Sequence, residues 1–294
     1  MKNHSLCVEV FIVISNQFLY KKDINKSVLC DGFGIDREYV NLFTNQVGVL
    51  QRGEKRKISL ILNDNSYSAI LTNINNAHDR RLNDAYQIRY SPNGEFAQTL
   101  QVIFNKSYRY IMEYREIAKK AEEKKRIRTT IPNEYKEYLA IYTTDEITTF
   151  MCEPIFADDF SAFKKIASNQ TERAFENDIN LINDDNEAGI IEKPGIMRIR
   201  KLNRKIGEAL KTHYQYRCQI CGCMIGEKYG SHIVEAHHID YFVKSLNNDI
   251  TNIMILCPNH HGIIHDCNPY FDKEKRVFTY PNGYREGLVL NDHI

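Results

Sequence analysis

The chain has 294 residues, 43% of them apolar, with 39 Lys plus Arg against 38 Asp plus Glu. That is apolar material for about two domains of moderate size, and it excludes wholesale disorder. A net charge of +1 gives no global pull towards nucleic acid or membrane, so a polyanion-binding surface has to come from local clustering.

The opening apolar run, residues 8–14, contains Glu9 and lacks both a basic leader and a small-residue cleavage site. It is expected to be a buried first strand rather than an export signal. With no stretch reaching the roughly 18 uncharged apolar residues of a membrane span, the expected location is cytoplasmic, with no membrane partner and reduced cysteines.

Next, residues 58–62 and 67–71 flank the turn-forming cluster Asn63-Asp64-Asn65-Ser66, which predicts a β-hairpin. Strands are expected at 86–90 and 100–104, punctuated by Ser91-Pro92-Asn93-Gly94. Short strands with polar turns suggest a small barrel or sandwich. From 108 to 128 glutamates alternate with lysines and arginines, as in a solvated helix with opposite charges four apart; its end, Lys124-Lys125-Arg126-Ile127-Arg128, is basic. A strand at 138–142 and a helix at about 160–179 follow. The segments Asn183-Asp184-Asp185-Asn186-Glu187 and Glu192-Lys193-Pro194-Gly195 make the best linker, and a basic helix at about 197–213 lies beyond it. The expected fold class is α+β: a β-rich, barrel-like N-terminal domain at 1–130, a helical connector at 131–195 and a C-terminal domain at 196–294.

The metal-ligating residue types crowd that last domain. Five of the eight cysteines (Cys218, Cys221, Cys223, Cys257, Cys267) and eight of the ten histidines, from His213 onward, lie there. Cys218-Gln219-Ile220-Cys221 and Cys257-Pro258-Asn259-His260 are two ligand pairs at the same spacing. Two intervening residues let a tight turn aim both side chains at one tetrahedral ion, and Gly222 follows the first pair. A Cys3His set suits structural Zn²⁺. Cys223 competes with Cys221, but a one-residue gap chelates poorly.

Between the two pairs lies Glu235-Ala236-His237-His238-Ile239-Asp240, followed by Asn252 and His260-His261-Gly262-Ile263-Ile264-His265. From about 214 to 265 this order resembles the HNH, or ββα-metal, endonucleases. The resemblance implies a hairpin and helix gripping one catalytic divalent ion (Mg²⁺, Mn²⁺, Ni²⁺ or Zn²⁺) through His237, His261 and His265. His261 and His265 are four apart and share a helix face. It implies His238 as general base, and Asn252 either as a clamp on the hairpin loop that fixes His238 or as a metal ligand. Glu235 would accept a histidine N–H and set its tautomer. The products would carry a 5′ phosphate and a 3′ hydroxyl. Many relatives have Asp or Asn at one metal position, so an all-imidazole set is a departure.

The partner implied is double-stranded DNA, cut one strand at a time, with a homodimer as one route to double-strand cleavage. A β-rich extension resembles the DNA-reading barrels of restriction endonucleases, either B3-like or PUA-like. Arg80, Arg81, Arg89, Lys106, Tyr108, Arg109 and Tyr110 are its candidate contacts, while Tyr270, Phe271 and Phe278 are expected to be packing residues. A restriction or defence endonuclease is the leading expectation. A nuclease triggered by a ligand or partner and a non-catalytic zinc-stabilised DNA-binding protein are the alternatives.

Overall fold

The computed structural model describes residues 16–74, 84–120, 129–167, 171–181 and 194–294. Strands β1 (Phe18–Asp23), β2 (Gly32–Gly34), β3 (Lys55–Leu62), β4 (Asn65–Asn73), β5 (Tyr86–Arg89), β6 (Tyr138–Thr143) and β7 (Thr149–Ile155) form one seven-stranded sheet. Its order is β1-β6-β7-β3-β4-β5-β2, and every pairing is antiparallel except β3–β7. Alternation in β3 buries Ile58, Leu60 and Leu62 on one face. The β3–β4 turn leaves only Asn63 and Asp64 unpaired, at φ 49° and 61°. Asn and Asp tolerate this left-handed geometry, whose twist matches that of the strands.

The two edge strands of this sheet approach each other. Tyr20 Oη lies 2.9 Å from Gly34 O and 2.7 Å from Asp36 Oδ2, while Lys22 Nζ donates to Asp36 at 2.8 Å. These bonds draw β1 towards β2 and make the sheet barrel-like, as the sequence pattern anticipates in coarse form. However, β6 and β7 come from the stretch expected to be a helical connector and join β1 to β3 within the sheet.

Helices α1 (Lys26–Cys30), α2 (Val40–Val47), α3 (Glu95–Ile103), α4 (Asn105–Lys120) and α5 (Ala157–Ala167) surround the sheet. The strand expected at 100–104 is instead the end of α3. Phe96, Ala97 and Leu100 are its buried residues, a helical spacing that a short apolar run conceals. The single helix expected at 160–179 is two: α5, and α6 (Glu172–Leu181). The strand expected at 8–14, the basic run at 124–128 and the linker segment at 183–187 lie outside the described residues.

Helix α7 (Pro194–His213) is the spine. Ile196, Ile199, Leu202, Ile206 and Leu210 recur every three or four residues and form its buried stripe. Arg198 at its start grips Asp159 of α5 with two bonds, at 2.9 and 2.6 Å. Along its length it packs on β1, β7 and α2, and also on β8 (Glu235–His238) and β9 (Ile253–Leu256). At Gly207 the helix passes so close to β8 that an added Cβ would stand 3.1 Å from that of Ala236.

A short helix, α8 (Phe242–Ser245), lies in the connection between β8 and β9; α9 (Pro258–Cys267) follows them. β10 (Tyr270–Asp272), β11 (Val277–Thr279) and β12 (Arg285–Gly287) form a small antiparallel sheet. Strand β9 is buried on both faces: Ile253 and Ile255 join the large core shared with the barrel-like sheet, while Met254 and Leu256 join a second core with Cys218, Cys257, Phe271 and Phe278. Phe271 and Phe278 thus pack as expected, but Tyr270 is 72% exposed because it faces away from that core. Among the described residues, no helix is long and apolar enough to cross a membrane.

Leu202 is fully buried in the α7 stripe. Leu202→Ala is expected to lower unfolding free energy by roughly 2–5 kcal/mol in chemical denaturation, through the cavity it leaves in the large core.

Candidate metal centre

The first cluster is built from a loop and a helix start. After α7 the chain turns so that Gly222 N donates to Cys218 O at 2.8 Å and Cys218 N to Cys223 O at 3.0 Å, with Gly222 at φ +70°. That turn aims Cys218 and Cys221 at Cys257 and His260, which open α9. One ligand atom from each of the four lies within 4.8 Å of the others. His260 Nδ1 is 3.2 Å from Cys257 Sγ and 3.5 Å from Cys218 Sγ. Cys223 stays outside this group: it is exposed, and its Sγ reaches the Cys221 carbonyl. The donor set suits a tetrahedral zinc-like ion. Burial pushes the Cys218 thiol up to about 12, a penalty that a bound divalent cation reverses by stabilising the thiolate.

The second cluster gathers three elements. β8 carries His237 and His238 opposite Met254 and Ile253 of β9. α9 presents His261 and His265 one turn apart, their Nε2 atoms separated by 3.1 Å. α6 adds Glu176, whose Oε2 lies 2.8 Å from Nε2 of both His261 and His265 and whose Oε1 lies 3.4 Å from His237 Nδ1. Ligand atoms of Glu176, His237, His261 and His265 all fall within 4.8 Å of one another, a geometry suited to one divalent ion. Burial opposes ionisation of Glu176, but bonds from the surrounding histidines outweigh it and hold the carboxyl well below its usual range.

His238 sits beside this group. Its Nδ1 is 3.0 Å from Glu172 Oε1 and 3.7 Å from Glu176 Oε1, and its ring stacks on Phe242 at 5.2 Å. Beyond it lies a cavity of about 140 Å³, lined in part by Asn203, Arg204 and Lys211 of α7.

Glu235 contacts His261 Nδ1, the nitrogen opposite the cluster. A carboxylate there favours a proton on Nδ1 and leaves Nε2 free to ligate. Burial disfavours the charged ring, yet bonds to Glu176 and Glu235 raise the pKa of His261 to about 9 in the absence of an ion. Asn252 closes the β8–β9 connection: its Nδ2 donates to the carbonyls of Asp240 and Asn247, each at 2.9 Å, and its Oδ1 accepts from Asp240 N at 2.8 Å. Both ends of its amide are thus taken up by backbone groups of the connection.

The structure therefore brings together every metal candidate read from the sequence, and it adds Glu176 and Glu172. Their only sequence signal was two glutamates four apart, which share a helix face. Nothing local shows that this face is buried.

Of the N-terminal candidates, Arg89 and Arg109 are exposed and Lys106 pairs with Asp158 at 2.6 Å. Tyr108 packs against the core, and Tyr110 stacks on Tyr135 at 5.3 Å. Arg80 and Arg81 lie outside the described residues.

Two outcomes test these assignments. Cys257→Ser is expected to lower the thiolate-to-metal charge-transfer band of the Co²⁺-loaded protein by about a third or more while leaving the histidine site able to bind; an unchanged band would remove Cys257 from the set. Glu235→Gln is expected to weaken metal binding at the histidine site by roughly 10–100-fold in Co²⁺ titrations, and unchanged affinity would sink its orienting role.

No protein-family model, curated protein or solved structure matches this chain.

Proposed function

We propose that the protein is a metal-dependent DNA endonuclease of the HNH type, with restriction or defence as its setting and the barrel-like N-terminal sheet as its target-recognition device. The observation that carries this reading is the meeting of His237, on a two-stranded hairpin that also carries His238, with His261 and His265 on the following helix. A purely structural zinc protein is served by the Cys3His group and has no use for a second, largely buried histidine cluster.

His237, His261 and His265 would hold the catalytic ion, which when bound polarises the scissile phosphate and stabilises the departing 3′ oxygen. Glu235 keeps His261 in the tautomer that leaves Nε2 free to ligate. Asn252 fixes the loop beyond His238 and with it the end of β8. His238 takes the proton of the attacking water at Nδ1, the nitrogen that faces the cluster. Burial disfavours the charged ring, but bonds to Glu172 and Glu176 outweigh it and hold the pKa of His238 above that of an ordinary imidazole, so the ring acts as a base once those carboxylates are displaced. Phosphate contacts by this module position DNA without selecting a sequence, so selection falls to the remainder of the chain.

The test is digestion of methylated and unmethylated plasmid with Mg²⁺, Mn²⁺, Ni²⁺ or EDTA, beside His238→Ala. Discrete fragments, lost with EDTA and reduced at least 100-fold in His238→Ala, are expected. Undiminished cutting by His238→Ala would overturn the assigned base. A smear without preferred fragments would overturn site selection and favour a triggered, non-specific nuclease.

A further inference from the structure

Two carboxylates of α6 stand where the proposed reaction needs open space. Glu176 spans the cluster: its Oε2 is 2.8 Å from His261 and His265, and its Oε1 is 3.4 Å from His237 and 3.7 Å from His238. One side chain thus bridges the metal-binding histidines and the proton acceptor, the interval that a phosphodiester and its attacking water must fill. Glu172 Oε1 occupies the same nitrogen of His238 at 3.0 Å.

Both carboxylates are held in place. Phe242 N and Val243 N each donate to Glu172 at 2.9 Å, and His238 N donates to Glu176 at 3.2 Å. Between them Phe175 stacks on Phe242 at 5.2 Å and meets Phe163 at 5.3 Å, so α6 is seated on α8 and α5.

The consequence is closure. His237, His238 and His261 are each at most 5% exposed. The cavity beside His238 holds about 140 Å³, and Glu176 forms part of its wall, so the carboxylate stands between that space and the histidines. Four protein ligands also complete a tetrahedral site, whereas hydrolysis needs a position left for water or substrate. Glu176 offers the two features of a phosphodiester that this site would bind, a negative charge and paired oxygens.

We propose that α6 is an autoinhibitory element: Glu176, assisted by Glu172, occupies the phosphate position as an intramolecular substrate mimic. Cleavage starts only when α6 withdraws, returning the fourth coordination position and the Nδ1 of His238 to DNA and water. The inference rests on the endonuclease reading for what is mimicked, but closure of the site is independent of it.

The experiment pairs two readouts on the full chain carrying Glu172→Gln/Glu176→Gln, which keeps side-chain volume, with Glu176→Ala as a second variant. Arg173→Ala, on the exposed side of α6, is the control. The first readout is amide hydrogen exchange of residues 235–245 and 258–267 in metal-free protein; the second is plasmid cleavage at saturating Mn²⁺. Expected are exchange at least tenfold faster and cleavage at least tenfold faster than wild type, with Arg173→Ala unchanged in both. Faster exchange with no cleavage by any form would uphold closure by α6 and discard the endonuclease reading. Unchanged exchange would overturn the proposal. So would loss of both Mn²⁺ binding and cleavage in the variants, since Glu176 would then be a permanent ligand of the working site.

Discussion

The buried stripe of α7 is the constraint on which the remaining architecture depends. Ile199, Leu202 and Ile206 are inaccessible to solvent, and the helix packs both on the barrel-like sheet and on the hairpin that carries His237 and His238. A helix that must satisfy two partners has no freedom to rotate or slide, because any shift exposes apolar area on one side and crowds the other. The close pass of Gly207 over Ala236 tightens this further. The histidine hairpin is therefore positioned by the same packing that stabilises the sheet.

A polar contact reinforces that link. Lys21, on β1, is buried and reaches Asp249 and Asn248 at 2.6 Å each, in the connection between β8 and β9. Its ammonium also lies 4.4 Å from the Tyr138 ring. Burying an ammonium is costly without such compensation, so this residue ties the hairpin loop to the sheet in one register. Asn252 then folds the same loop upon itself. Sheet, loop and histidines form a continuous chain of fixed contacts, and a change in the N-terminal half has a physical route to the cluster.

At the cluster, two kinds of site share one short helix. The start of α9 contributes Cys257, its N-cap residue, and His260 to the Cys3His group, while His261 and His265 turn to the other side towards β8 and α6. A structural ion at the first group would anchor the helix end from which the second group projects, so that the rigidity of one serves the geometry of the other. Glu176 and Glu172 enter from a helix that is distant in sequence, and their burial is tolerated because imidazoles and backbone N–H groups compensate their charge.

Much was legible in the sequence where chemistry is local. The β3–β4 hairpin was readable because Asn63 and Asp64 suit the left-handed turn, and α7 was marked as a basic helix beyond the linker, although its buried apolar stripe emerged only with the structure. Ligand spacing marked Cys218, Cys221, Cys257 and His260 as one group, and the i, i+4 pair His261 and His265 as half of another. The apolar run at 100–104 misled, since a few apolar residues fit a strand or the buried end of a helix equally well. What only the tertiary structure decided was the company these residues keep. The near-closure of the sheet through Tyr20 and Asp36, the link from Lys21 to Asp249, and the arrival of Glu176 among four histidines 61 to 89 residues away in sequence all depend on how elements pack. Spacing along a chain determines which side chains can share a face, but only packing determines what that face meets.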